Sequence, residues 1–292
     1  MKSISPGEQA KLWRDPIIQN LELLRATYVT HSFSRHVHEG FGIAILEAGA
    51  MEFACRGATH IAPAGSIVIV HPDEVHTGHA AFETGWTYRT LLPGAELLQQ
   101  AASELSDRPL SVPYFPDPVI QDPKLNDCLR RLHIALETSD SPLERESRLL
   151  WNLTRLIVTH ASDRPLVRSV SQDTRAVKRV RDYLLEHFDQ NISLHDLATM
   201  VNLSSLRLLR VFRRHVGLPP HAFLTQVRIH HAKKLLSMGW TVAQVALETG
   251  FTDQSHLSRH FKRMVGVPPG RYAHGCKNVQ DFRPSSIYAR EN

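Results

Sequence analysis

Seven histidines, His31, His36, His38, His60, His71, His76 and His79, crowd into about fifty residues of a 292-residue chain. Neutral imidazole is a ligand for zinc and iron, and three such groups can hold a divalent metal with one position left open. The same side chains can also line a pocket for a small molecule with no metal, or serve no dedicated effector. A second kind of chemistry lies at the other end of the chain. The phrase Leu208, Arg210, Phe212, Gly217, Pro219, Pro220 recurs 49 positions later as Leu257, Arg259, Phe261, Gly266, Pro268, Pro269. A long-period echo of this kind means one supersecondary unit built twice. Each copy carries arginine, the side chain that bonds guanine bidentately in the major groove. Two basic helices on one rigid body point to a protein that reads two neighbouring stretches of DNA.

These residues need elements to hold them. From Leu21 to Leu92 the texture is β: short apolar runs (Gly42–Leu46, Met51–Ala54, Ser66–Val70) are punctuated by Gly49, Gly57, Pro63–Gly65 and Pro72–Asp73. Regular turn signals between short strands predict a small barrel or sandwich. Gly94–Leu105 then reads as helix, Asp107–Pro118 as a proline-rich connection, and Asp122–Glu137 and Leu143–Ala161 as two further helices. The stripe Leu149, Leu150, Leu153, Leu156, Ile157 is expected to pack on the domain's own barrel, to form a dimer interface, or to do both. Residues 163–175 read as a linker.

In the first repeat unit Ser193 and Asp196 have the spacing of a helix cap. Leu194, Leu197, Ala198 and Val201 form an apolar face, Asn202–Leu203–Ser204 a turn, and Ser205–His215 a second helix burying Leu208, Val211 and Phe212. The second unit repeats the plan: Thr241 and Gln244 as cap, Val242, Val245 and Ala246 as apolar face, and Gly250–Phe251–Thr252 as turn. A helix Asp253–Val265 then buries Leu257, Phe261 and Met264. Ala198 and Ala246 lie 48 apart while later landmarks lie 49 apart, so the second unit holds one extra residue near its turn. Between the units His221–Ser237 reads as one long helix that fixes the spacing of the two heads.

Charge follows the same division. Residues 176–278 hold 15 Lys and Arg against 6 Asp and Glu, while residues 1–175 hold 17 against 21. A basic module joined to a mildly acidic one is the footprint of a nucleic-acid binder with a second domain. Cys55, Cys128 and Cys276 are isolated, which argues against a zinc finger or a disulfide framework. No apolar stretch reaches membrane-spanning length and residues 1–15 lack a signal-peptide run, so a cytoplasmic protein is expected.

From Ala176 to about Ala273 the chain resembles the DNA-binding domain of AraC/XylS-type bacterial transcription regulators. The resemblance is carried by Leu197–Ala198, Phe212, Gly217, Pro219–Pro220, Arg228, Ala232, Leu235, Val245–Ala246, Gly250–Phe251, Leu257, Arg259–His260–Phe261–Lys262 and Gly266-x-Pro268–Pro269. It implies an all-α domain of two helix-turn-helix units joined by a long helix, reading successive major-groove segments about 34 Å apart. Carried over position by position, it implies base-facing Leu206, Leu209 and Arg210 in the first unit, and Gln254, Ser255, His256, Ser258 and Arg259 in the second. Arg207, Arg213, Arg214, Lys262 and Arg263 are then expected on phosphates, which position the protein without selecting sequence.

The histidine-rich segment has a resemblance of its own. His36-Val-His38 with Gly49 downstream resembles the first cupin motif, and Gly65-x5-His71 with Asp73-x2-His76 the second. It implies a cupin-like β-barrel with following helices, and it places His36, His38 and His76 near the positions of metal ligands. Gly42 and Ile43 stand where the first motif carries a carboxylate, and His71 and Asp73 replace the second motif's Pro and Gly. The chain therefore reads as an α+β multidomain protein: sensor and dimerisation domain 1–162, linker 163–175, DNA-binding domain 176–278, tail 279–292. The expected function is a non-enzymatic, sequence-specific transcription regulator, by family an activator, controlled by a small molecule in the barrel. Its expected partners are double-stranded DNA, RNA polymerase and a second copy of itself, with no cofactor beyond a divalent metal at the histidines. The rival reading is a metal-dependent cupin enzyme fused to a DNA-binding module, against which the missing carboxylate weighs. An architectural DNA binder would leave the barrel without a role.

Overall fold

A computed structural model describes residues 7–16, 18, 21–106, 108–163 and 173–280. Most of the expected linker and tail lies outside the described residues. By its contacts the chain divides into two units, Met1–Gln172 with Ser193–Val211, and Asp173–Ile192 with Phe212–Asn292.

The first unit is built on nine antiparallel strands: β1 (Gln9–Asp15), β2 (Leu21–Tyr28), β3 (Ser32–His36), β4 (Gly42–Cys55), β5 (Ala58–Pro63), β6 (Ile67–Val70), β7 (His76–Ala80), β8 (Trp86–Leu92) and β9 (Val119–Ile120). The hydrogen-bonded order is β1-β2-β8-β4-β6-β9. The 14-residue β4 also pairs with β5 and β7, and β7 pairs with β3, so β4 serves as the common seam. Side chains alternate across a strand, and along Gly42–Leu46, Ile67–Val70 and much of β8 both faces are buried. Ala44, Leu46, Val68, Val70, Trp86 and Tyr88 point into one core, inside the wrapped sheet. Their neighbours Ile43, Ile45, Ile67, Ile69 and Leu91 point into the other, against helices.

Those helices are α1 (Ala95–Ser106), α2 (Pro123–Thr138) and α3 (Pro142–His160). Asp122 caps α2 by accepting from the Leu125 amide, and Ser141 caps α3 by accepting from that of Glu144. Of the α3 stripe, Leu149, Leu153, Leu156 and Ile157 are buried in the helix-side core and Leu150 packs against it. The stripe is thus occupied within its own unit. The same layer holds a buried polar knot. Arg89 on β8 pairs with Glu47 and Glu137 and donates to His133 Nδ1 at 3.1 Å, while His133 Nε2 donates to the Leu24 carbonyl at 3.1 Å.

Two short helices, α5 (Leu194–Met200) and α6 (Ser205–Val216), follow α4 (Thr174–Glu186). Then come α7 (Pro220–Ser237), α8 (Val242–Glu248), α9 (Gln254–Val265) and α10 (Pro269–Gln280). Both expected caps are present as full capping boxes, Ser193 with Asp196 and Thr241 with Gln244. The turns put Asn202 (φ 53°) and Gly250 (φ 73°) in the left-handed region. Each lies nine positions after its cap, so the additional residue falls between that turn and the next helix. A Cβ on Gly250 would lie 2.6 Å from the Asp189 carbonyl oxygen, so glycine is required by space as well as by φ. Met264, expected in the core, is 40% exposed. Leu257 and Phe261 suffice for that face: both are fully buried against α7 and α8 residues.

Buried Arg228 on α7 donates from Nε to the Phe188 carbonyl (2.7 Å) and from Nη2 to that of Gln190 (2.8 Å), and lies over the Phe251 ring. Within the second unit it ties the connection that follows α4 to α7. Among the described residues no helix is long and apolar enough to cross a membrane.

Two outcomes follow. Arg228→Met leaves two carbonyls without their donor and should lower stability by about 2–4 kcal/mol in urea denaturation. Burial, then the Arg89 charge, hold His133 at a pKa of about 4, below its ordinary 6.5. The unfolded chain therefore takes up this proton first as pH falls, and stability should drop between about pH 6.5 and 4. His133→Gln, which keeps a donor and an acceptor, should make the melting temperature fall less steeply across that window. A slope identical to that of the unsubstituted protein would exclude His133 as its source.

Candidate effector pocket and DNA-reading helices

The inside of the wrapped sheet holds a cavity of about 130 Å³. Its apolar wall is made by Leu24, Ala44, Phe53, Val68 and Tyr88, and its polar groups come from His36, His38, His76, Thr77, Thr90 and Glu22. Of the seven clustered histidines the fold brings three together. His36 and His76 are cross-strand partners on β3 and β7, beside an irregularity in register between Phe33 and His36. Their ring centroids lie 4.1 Å apart, and His38 completes the set at 4.9 Å from each. One ligand nitrogen from each ring falls within 4.8 Å of the others.

The other four histidines are employed elsewhere. His31 stacks on Tyr28, His60 lies 3.3 Å from the Cys55 carbonyl, His79 faces Glu52, and His71 Nε2 accepts from the Phe115 amide.

Hydrogen bonds fix the tautomers of two of the three. His36 Nδ1 lies 2.8 Å from the Ser34 carbonyl and His76 Nδ1 2.9 Å from that of Glu74. A carbonyl only accepts, so each Nδ1 carries the hydrogen and each Nε2 keeps its lone pair. The loop that aims His76 is itself braced. The Glu74 carboxylate accepts from Arg56 Nε at 2.6 Å and from the His71 amide at 3.0 Å, while Arg56 also donates to the Phe115 and Pro116 carbonyls. Burial pushes the Glu74 carboxyl up, but the Arg56 hydrogen bond and the His71 amide outweigh it and hold it low. Burial, followed by the His76 and His36 charges, holds His38 at about 4, and burial lowers His76. His38 and His76 are therefore neutral imidazoles at neutral pH. A Cβ on Gly42 would lie 3.5 Å from the His38 ring, which places the residue lacking the motif carboxylate directly beside the set.

Sequence reasoning passed over Thr90. It is 7% exposed, lines the cavity, and its hydroxyl has no hydrogen-bond partner among the described residues. Its alternation with Trp86 and Tyr88 on β8 was the available signal.

On the DNA side the two helices differ. In α9 Gln254, Ser255, Arg259, Lys262 and Arg263 are exposed and Ser258 is half-buried. Asp253 caps this helix through the His256 amide. His256, expected to face bases, is instead buried, its ring edge-on to Phe251 and 4.8 Å from His260. In α6 Arg213 and Arg214 are exposed and Arg207 and Arg210 half-buried. Leu206 and Leu209, also expected to face bases, are 0% and 1% exposed.

The reason for Leu206 is its neighbours: it belongs to the helix-side core with residues of α1 and α3. Two carboxylates accompany that packing. Glu104 on α1 accepts from the Leu206 amide at 3.1 Å. Glu146 on α3 accepts from the amides of Leu194 (2.7 Å) and His195 (3.2 Å). Both meet unpaired amides at helix starts, where negative charge is favourable.

Comparison with known proteins accords with this geometry. Residues 19–153 match the family model described as AraC-like ligand binding domain, and residues 197–275 match one described as Helix-turn-helix domain. An uncharacterized HTH-type transcriptional regulator, YbfI of Bacillus subtilis, is 31% identical over 86% of this chain and 90% of its own length. The thermoregulatory protein LcrF of Yersinia pestis is 24% identical over 86% and 96% respectively. The lactose operon transcription activator of Staphylococcus xylosus is 22% identical over 79% and 82%. An AraC-like ligand-binding barrel with a partly buried histidine set, followed by a duplicated helix-turn-helix module, makes this chain a member of the AraC family of transcription regulators.

Proposed function

We propose that this regulator is an activator that reads an asymmetric DNA site and is switched by a small molecule in the barrel cavity. The observation that carries the DNA half is α9, which exposes Gln254, Ser255 and Arg259 beside Lys262 and Arg263 on a capped helix-turn-helix scaffold. Gln pairs bidentately with adenine and Arg with guanine, each worth about 1–3 kcal/mol of discrimination. Helix α6 offers Arg207, Arg210, Arg213 and Arg214 but holds its two leucines inside. The activating sign is taken from relatives such as the lactose operon transcription activator. Contact with RNA polymerase would be its route. The barrel is read as a binding site rather than a catalytic one.

The coupling between cavity and DNA runs through the strands. Ala44 and Val68 line the cavity, while Ile43, Ile45, Ile67 and Ile69, on the opposite face of the same strands, pack in the core that holds Leu206. A ligand that spreads β4 and β6 disturbs that core, because packed interiors transmit strain. Its release would free the α6 amides and side chains for DNA. Such a switch requires the effector to bind the released arrangement more tightly than the docked one.

Selection of bound sequences from random DNA by the full chain tests the reading. It should return two unlike half-motifs about one helical turn apart. Weak preference among sequences would instead favour an architectural binder. Arg259→Ala should cost about 1–3 kcal/mol at one half-motif alone. Equal weakening on every sequence would remove Arg259 from base reading. The double substitution Glu104→Ala with Glu146→Ala should tighten effector-free binding to the selected DNA about tenfold. Unchanged affinity in the folded variant would overturn the docking step.

A further inference from the structure

We propose that a second cavity of the first unit, walled by α1, α3 and the starts of α5 and α6, binds an amphipathic organic cation, a primary amine on an apolar body. Occupied, it holds α5 and α6 against α1 and α3 and so opposes DNA binding. The site stands on its own geometry, and the inhibitory effect rests on the proposed release of α6.

The cavity encloses about 270 Å³, against about 150 Å³ for one that holds benzene, so a ring with a short chain fits. Leu97, Ala101, Leu149, Leu150 and Leu194 supply its apolar wall. Its polar groups are mainly acceptors. Gln100 commits Nε2 to Glu104 Oε1 at 3.1 Å, which leaves its carbonyl oxygen available. Glu104 Oε2 is taken by the Leu206 amide. Both bonds of Glu146, from the Leu194 and His195 amides, fall on Oε2, and among the described residues Oε1 has no partner. Ser205 adds a hydroxyl, and neutral His195 accepts through one ring nitrogen.

Charge selects the ligand further. Among the described residues no lysine or arginine lines this cavity, whereas two glutamates do. Burial pushes the Glu146 carboxyl up, and the Leu194 and His195 amides do not offset it. A buried carboxylate short of partners is costly, and an alkylammonium relieves that cost with three N–H donors and a positive charge. An anion would meet both glutamates, and a neutral apolar molecule would leave the Glu146 oxygen unmet.

The sign of the effect follows from who makes the walls. Leu97 to Glu104 belong to α1 and Glu146 to Leu150 to α3, while Leu194 and His195 open α5 and Ser205 opens α6. A ligand touching all four binds only while they are together, so it stabilises that arrangement alone. The barrel effector, by contrast, is read as favouring release.

The test titrates phenethylamine into the full-length protein and follows binding by calorimetry. One equivalent should bind, while phenethyl alcohol and phenylacetate, with the same ring, should bind at least about tenfold more weakly. Glu146→Gln keeps an oxygen for the two amides but loses the charge, and should weaken amine binding about tenfold or more. Ala101→Met, which fills the apolar end, should also weaken it. The melting temperature without amine reports whether each variant is folded. No saturable binding, equal binding of phenethyl alcohol, or binding that survives either substitution in a folded variant overturns the site.

With the DNA selected by the full chain, amine at ten times its dissociation constant should weaken DNA binding about tenfold. Unchanged or tighter DNA binding by the amine-loaded protein overturns the inhibitory effect and leaves the cavity site in place. The Glu104→Ala with Glu146→Ala variant tests the docking step without amine, so failure of that step is distinguishable from failure of this one.

Discussion

The first unit depends on strands that have two insides. Along Gly42–Leu46 of β4 and along β6 residues alternate between the core inside the wrapped sheet and the core against the helices, and both faces are buried. This double burial explains the continuous apolar runs Gly42–Leu46 and Ile67–Val70, which lack the polar alternation of a half-exposed sheet. It also makes the wall a mechanical element. A change of volume at Ala44 or Val68 cannot be absorbed by solvent on the far side and is passed to Ile43, Ile45, Ile67 and Ile69. The histidine set sits at the margin of this wall, on the β3–β7 pair and the loop entering β4, where the backbone is irregular enough to aim three rings at one point.

The second constraint is the turn chemistry of the duplicated module. Asn202 and Gly250 take the left-handed conformation at matching positions, and the amides that follow, Leu203 and Phe251, close onto Ala198 and Ala246 in the same way. Only beyond that point do the copies differ. Ser204 caps α6 and Asp253 caps α9, one residue later relative to their turns. The divergence falls where each reading helix begins, so the copies share their packing but differ in the phase at which the helix starts.

Much of this was legible in the sequence because it rests on local rules. The capping boxes, the long α7, the extents of α2, α3, α6 and α9, and the change from strand texture to helices all follow from spacing and from caps a few residues away. The three histidines were legible because their positions echo a known pairing of strands. Burial of Leu206, Leu209 and His256 was not. A leucine at a helix start looks alike whether it faces a groove or a neighbouring helix, and only the packed fold shows that Leu206 joins α1 and α3. Thr90 escaped notice for a similar reason: a threonine in an apolar strand carries no sign that its hydroxyl will lack a partner.

Glu104 and Glu146 have a further consequence. Helix-start amides are the groups through which proteins of many kinds grip the sugar-phosphate backbone. In this structure those at Leu194, His195 and Leu206 are held by carboxylate oxygens of the protein itself. The two glutamates act as counterfeit phosphates. If the proposed release of α6 holds, nucleic acid and the protein's own α1 and α3 would compete for the same few hydrogen bonds with the same charge, and a chain engaged with one would have let go of the other.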